Sequence, residues 1–145
     1  DLCWRLKNNG KNIMYCPDST VYHVGGGTLN YDNPKKTFLN YRNNLWMIHK
    51  NFKGKTPLFI IIALRIILDQ ISSLRFLFKW KIKNLIAIHK AHIYYFTNLS
   101  KIQNKRKKIK KTPLKGMKGV INDLIIWQYF INQKHIFTEI SNAND

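Results

Sequence analysis

The residues best suited to chemistry lie near the start of the chain. Within the first 27 positions stand Asp1, the pair Trp4 and Arg5, and His23 shortly before Gly25-Gly26-Gly27. The backbone N–H groups of three consecutive glycines can form a nest for an anion such as a diphosphate. A neutral His23 imidazole could ligate Mg²⁺ or, more comfortably, Mn²⁺; as a lone histidine it could equally be a packing residue. Trp4 could stack its ring on a sugar or lie in a core. Asp1 could contribute to a catalytic acid cluster, cap the first helix, or pair with Arg5 four residues on. Further along, Arg42 carries a planar fork that suits a diphosphate, and Asn43 and Asn44 could reach the same group. On the polar face of a helix, Arg42 would simply be solvated. His49, His89, His92 and His135 show no metal-ligand spacing with an acid or cysteine.

These residues need elements to hold them. Residues 1–10 fit a short helix, with Gly10 where a helix terminates. Residues 12–16 and 20–24 suit short strands on either side of a turn at Pro17-Asp18-Ser19. From Thr37 to about Phe52, apolar residues at Phe38, Tyr41, Leu45, Ile48 and Phe52 recur at three- and four-residue steps, which predicts a helix with one buried stripe. Gly54 and Pro57 break the chain. Residues 58–80 form the strongest apolar run, interrupted by Arg65, Asp69, Gln70 and Arg75. Residues 82–100 continue as helix, and a last apolar segment, 123–131, predicts a terminal helix.

Of the 145 residues, 25 are Lys or Arg and 7 are acids, for a formal net charge of +18. That excess attracts polyanions, whether nucleic acid, anionic lipid or sugar phosphates. The aromatic content and apolar runs exclude a disordered polycation. Cys3 and Cys16 make no CxxC pattern and no disulfide framework, so they read as reduced thiols in a core.

Taken in order, Asp-Leu-Cys-Trp-Arg-Leu, Gly10, Tyr15-Cys16-Pro17, Val21-Tyr22-His23-Val24-Gly25-Gly26 and Asn33-Pro34-Lys35-Lys36-Thr37-Phe38-Leu39-Asn40-Tyr41-Arg42-Asn43-Asn44 closely resemble the distal catalytic segment of family 2 glycosyltransferases of Bacteroidetes-like bacteria. Ile126-Trp127-Gln128-Tyr129-Phe130-Ile131 is similar to the tail of such enzymes. The resemblance implies an α/β fold: the C-terminal part of a glycosyltransferase-A (Rossmann-like) domain, followed by a mostly α-helical tail. It implies a nucleotide-sugar donor, an inverting transfer to a glycan or lipid-linked acceptor, and Mg or Mn as cofactor. It assigns donor or acceptor binding to Trp4, Arg5, Gly25, Gly26, Gly27 and Arg42, and a metal contact to His23. The donor-binding Asp-x-Asp motif and the acidic pair that supplies the base are not in this chain. The chain begins as if inside an element, and the expectation is a portion of an enzyme, with its base upstream of Asp1 and no transfer activity alone.

The expected division is 1–53 as the acceptor-side part of the catalytic domain, 54–100 as membrane-associated helices, and 101–145 as a basic segment with a terminal helix. A charge at the centre of a spanning helix costs roughly 3 kcal/mol. Residues 58–80, with Arg65, Asp69 and Arg75, therefore read as interfacial or docked rather than spanning. Lys101 to Lys111 holds seven cations in eleven residues and no acid. Each contributes about 1 kcal/mol beside an anionic leaflet. With no interleaved aromatics or nucleic-acid reading motif, the run suits an anionic membrane surface better than DNA or RNA. The expected place is the cytoplasmic face of the inner membrane, peripheral or monotopic. The alternatives are a basic nucleic-acid-binding module and a non-catalytic membrane-associated protein.

Overall fold

Pro34 opens the helix that packs against three others. It sits at the first turn of a helix, where its missing N–H would have no partner anyway, and the Asn33 side chain before it accepts from Lys35 N at 2.9 Å. The computed structural model describes residues 1–22, 32–113, 125–136 and 139. Among these lie six helices: α1 (Leu2–Asn8), α2 (Pro34–Asn51), α3 (Leu58–Phe78), α4 (Ile82–Thr97), α5 (Leu99–Lys108) and α6 (Ile125–Phe130).

No strand occurs among the described residues, which overturns the expected α/β, Rossmann-like architecture; the described fold is a small all-helical one. Residues 11–22 do turn at Pro17-Asp18, where Ser19 N donates to Cys16 O at 3.3 Å. Among the described residues they form no strand pairing. An extended segment becomes a strand only when a neighbour takes its backbone hydrogen bonds, and here Tyr15 and Tyr22 are 86% and 95% exposed. Cys3 and Cys16 are likewise free and exposed rather than in a core.

The core is built by one residue from each of four helices: Leu45 of α2, Ile62 of α3, Tyr95 of α4 and Ile102 of α5. Leu45 lies on the stripe that the spacing picks out. Ala87 and Ala91 are buried on α4, and such small side chains let α2 approach closely. Contacts of α2 with α4 and α5 cross the expected division at residue 53. Asn84 Nδ2 donates to Thr37 Oγ1 at 2.9 Å, and Lys81 pairs with Asp32 at 2.6 Å, fastening the start of α4 to the start of α2. That pairing holds the Asp32 carboxyl below its ordinary pKa.

α5 folds the basic run into the bundle. Arg106 Nη1 donates to the His49 and Phe52 carbonyls at 2.6 and 2.9 Å, closing the C-terminal end of α2. Lys111 Nζ donates to the Arg106 and Ile109 carbonyls, and so caps α5 itself. His49 is buried beneath, with Nδ1 2.7 Å from the Tyr95 hydroxyl and Nε2 3.0 Å from Gln103 Oε1. An amide oxygen only accepts, so Nε2 carries the proton and Nδ1 accepts from Tyr95. Burial pushes the Tyr95 phenol up to about 12, which keeps it a donor.

α3 is amphipathic in the unexpected sense. Its inner face carries the polar residues: Asp69 is 1% exposed and Ser73 is buried beside it. Arg65 Nη2 meets Asp69 Oδ1 at 2.7 Å, and His92 Nε2 meets Asp69 Oδ2 at 3.0 Å. Its outer face is apolar. No helix among the described residues is long and apolar enough to cross a membrane.

Candidate functional site

α1 ends in two hydrogen bonds, Gly10 N to Lys7 O at 2.9 Å and Lys11 N to Leu6 O at 3.0 Å, with Gly10 at φ +72°. This is a Schellman closure, and its left-handed residue favours glycine. α1 is held in place from both ends. Asn8 is buried and accepts from Thr112 N at 3.1 Å, so the chain after α5 pins its last turn. At the first turn, Asp1 accepts from Lys50 Nζ at 2.9 Å and from Asn51 Nδ2 at 2.8 Å, both on α2.

That junction forms the lip of a cleft of about 600 Å³, whose floor is one face of α2. Asn40, Asn43, Asn44, Met47 and Lys50 recur at helical spacing along it. Trp46 borders the cleft and is held rigidly: its ring stacks on Tyr94 at 6.0 Å, with Lys105 Nζ 5.3 Å from its centroid. Burial first, then the Arg5 charge, draws the Lys50 ammonium below its ordinary pKa. Asp1 is shared by Lys50 and Arg5, so the lip is cationic, and carboxamides line the floor beside it. A carboxamide carries donors and an acceptor side by side; the Asn43 oxygen already accepts from Arg42, which leaves its N–H groups and the whole amide of Asn40 to the cleft. Asn44 Oδ1 and Trp46 Nε1 are buried without a hydrogen-bond partner.

The expected site residues fall in different places. Asp1 lines the cleft and pairs with Arg5 at 3.2 Å as well as with α2. Arg5 is exposed beside it. Trp4 is half-buried, with its indole N–H buried and unpartnered, and does not line the cleft. Arg42 is drawn into the α2–α4 packing: its guanidinium lies 5.4 and 5.6 Å from the Phe38 and Tyr94 ring centroids and donates to Asn43 Oδ1 at 2.8 Å. His23 and Gly25, Gly26 and Gly27 lie outside the described residues. Among the described residues no three His, Cys, Asp or Glu converge as a metal site.

Asn40 and Lys50 were not singled out by spacing, although a signal was there. Asn40, Asn43, Asn44, Met47 and Lys50 form a stripe of their own on the helix whose opposite stripe marks the core.

The described residues thus define an all-helical unit with one amide-lined cleft and an outward apolar helix face. No family model, curated protein or solved structure matches the chain.

Proposed function

We propose that this chain is the acceptor-side portion of a glycosyltransferase, which moves a sugar from a nucleotide-sugar donor to a lipid-linked or cell-surface glycan at the cytoplasmic face of a membrane. The observation that carries the reading is the row of carboxamides along the α2 cleft, at Asn40, Asn43 and Asn44. A polyol gains paired donors and acceptors that match its vicinal hydroxyls, as in most small-ligand sites where a few polar groups fix orientation. The motif order from Asp1 to Asn44 supports the same reading, because it resembles sugar-transferring enzymes and includes Asp1, Asn40, Asn43 and Asn44 of the cleft. In this reading the cleft holds acceptor, while donor and metal are bound by groups outside it.

Side-chain amide NMR tests this directly. Titration with mono- and oligosaccharides is expected to shift the Asn40, Asn43 and Asn44 carboxamide signals in a saturable way. Inorganic phosphate at equal concentration is expected to leave them in place. If no saccharide moves these signals, or phosphate moves them as far, the reading is wrong.

A further inference from the structure

The outer face of α3 has no covering element among the described residues. Ile60, Leu64, Ile67, Ile71, Leu74 and Phe78 recur at four- and three-residue steps and are all exposed, while Asp69, Ser73 and Arg65 point toward α2 and α4. Soluble helices arrange these classes the other way round. On α4, which packs on α3, Ile86, Ile93 and Phe96 are exposed as well.

Two further observations say what covers the face. The first is charge. Between Asp32 and Asp123 the sequence contains a single acid, Asp69, and it is 1% exposed. The surface of α3, α4 and α5 therefore offers cations alone. Lys55 precedes the stripe, Arg75 flanks it, and Lys79 ends it. A second copy of this chain would bring the same cations face to face, and a nucleic acid has no use for six exposed aliphatic and aromatic side chains. An anionic bilayer answers both features, taking the apolar stripe below its headgroups and the cations among them.

The second is Trp80. It follows the C-cap of α3 at φ +54°, a left-handed position closed by Trp80 N to Leu77 O and Lys81 N to Phe76 O, at 2.9 Å each. Glycine serves that position without strain, yet the residue here is the bulkiest of all, and it is 86% exposed. Local backbone needs do not explain it. A tryptophan at the end of an apolar helix is where a membrane interface takes an indole, with its ring among the acyl chains and its N–H wet.

We propose that α3 seats this chain in the headgroup layer of an anionic bilayer, lying in the plane of the membrane with its outer stripe down and Trp80 anchoring one end. Lying flat leaves Arg65 and Asp69 on the protein side, where their partners are. Crossing the bilayer would surround them with lipid. The inference rests on the membrane setting of the proposed function and not on its sugar chemistry.

The test is co-flotation of the full chain with phosphatidylcholine vesicles containing or lacking phosphatidylglycerol, together with quenching of tryptophan fluorescence by brominated lipid. Binding is expected with the anionic vesicles and weak without them. Ile67→Glu with Ile71→Glu is expected to weaken it at least about tenfold at unchanged helical circular dichroism. Lys55→Gln, Arg75→Gln and Lys79→Gln together are expected to remove the preference for anionic lipid. Trp80→Phe is expected to remove most of the bromolipid quenching. The proposal is overturned by absence of vesicle binding, by binding that Ile67→Glu with Ile71→Glu leaves unchanged, by self-association through this face without lipid binding, or by salt-steep binding of DNA in its place. None of these outcomes bears on saccharide binding in the α2 cleft, which the NMR titration reads separately.

Discussion

Asp69 Oδ2 and His92 Nε2 lie 3.0 Å apart between α3 and α4, and Arg65 holds the other carboxylate oxygen at 2.7 Å. The most buried charge among the described residues is thus met from α4 and from its own helix, beneath a face that is apolar outside. This pairing fixes which side of α3 is inward. An uncompensated buried charge would cost more than any single apolar contact on the outer face could offset.

Removing the carboxylate should therefore be far more damaging than changing the outer stripe. Asp69→Ala is expected to cost about 3 kcal/mol, because Arg65 and His92 lose their shared partner. Ile67→Ser on the outer face is expected to change stability by no more than about 0.5 kcal/mol. Urea unfolding followed by circular dichroism measures both, and equal losses would mean that α3 is not oriented as described.

The basic run is not uniform. Arg106 donates to two carbonyls at the end of α2, and hydrogen bonds from a charged group contribute about 1.5–3 kcal/mol. Arg106→Ala is expected to lose about that much, whereas Lys107→Ala, exposed one residue on, should stay within about 0.5 kcal/mol. Thermal unfolding of the two variants side by side distinguishes a structural arginine from a solvated lysine.

His49 should make the fold acid-sensitive. Burial, and secondarily the Arg106 charge, hold its pKa below the ordinary value of about 6.5 in the folded state. The unfolded chain therefore binds a proton at a pH where the folded chain does not, and stability rises with pH across that window. The stabilisation is fully present above about pH 6.5 and is lost as pH falls toward the folded pKa. Urea midpoints are expected to drop as pH falls below about 6.5. His49→Gln should flatten that slope even if it lowers the midpoint throughout.

What could be read from the residues was mostly periodic. The stripe Phe38, Tyr41, Leu45, Ile48 and Phe52 marks α2, and Gly10 marks the end of α1, because both depend on local spacing and local backbone geometry. The segments 12–16 and 20–22 form no strand because strand propensity describes a side chain's fit to a sheet, and the sheet has to come from elsewhere; residues 23 and 24 of the second expected strand lie outside the described residues. The charge pattern of 101–111 gave no hint that Arg106 would close another helix, 57 residues away from its farther partner, since that contact exists only once α2 and α5 are packed. At the cleft, Asp1 and the pair Asn43 and Asn44 stood out by type, while Arg42 looked the better ligand and is in fact held between Phe38 and Tyr94. Side-chain type told what each group could bind; packing decided which were free to do so.

The central claim is that the α2 cleft holds the acceptor of a sugar transfer, and its most direct test is a transfer assay with the natural protein in its membrane. Labelled nucleotide sugar and a lipid-linked acceptor would be varied separately in wild type and in an Asn43→Ala, Asn44→Ala variant. The acceptor KM is expected to rise about tenfold, as when ground-state contacts to one substrate are lost, with the donor KM unchanged. An unchanged acceptor KM, or a change confined to the donor, would contradict the claim.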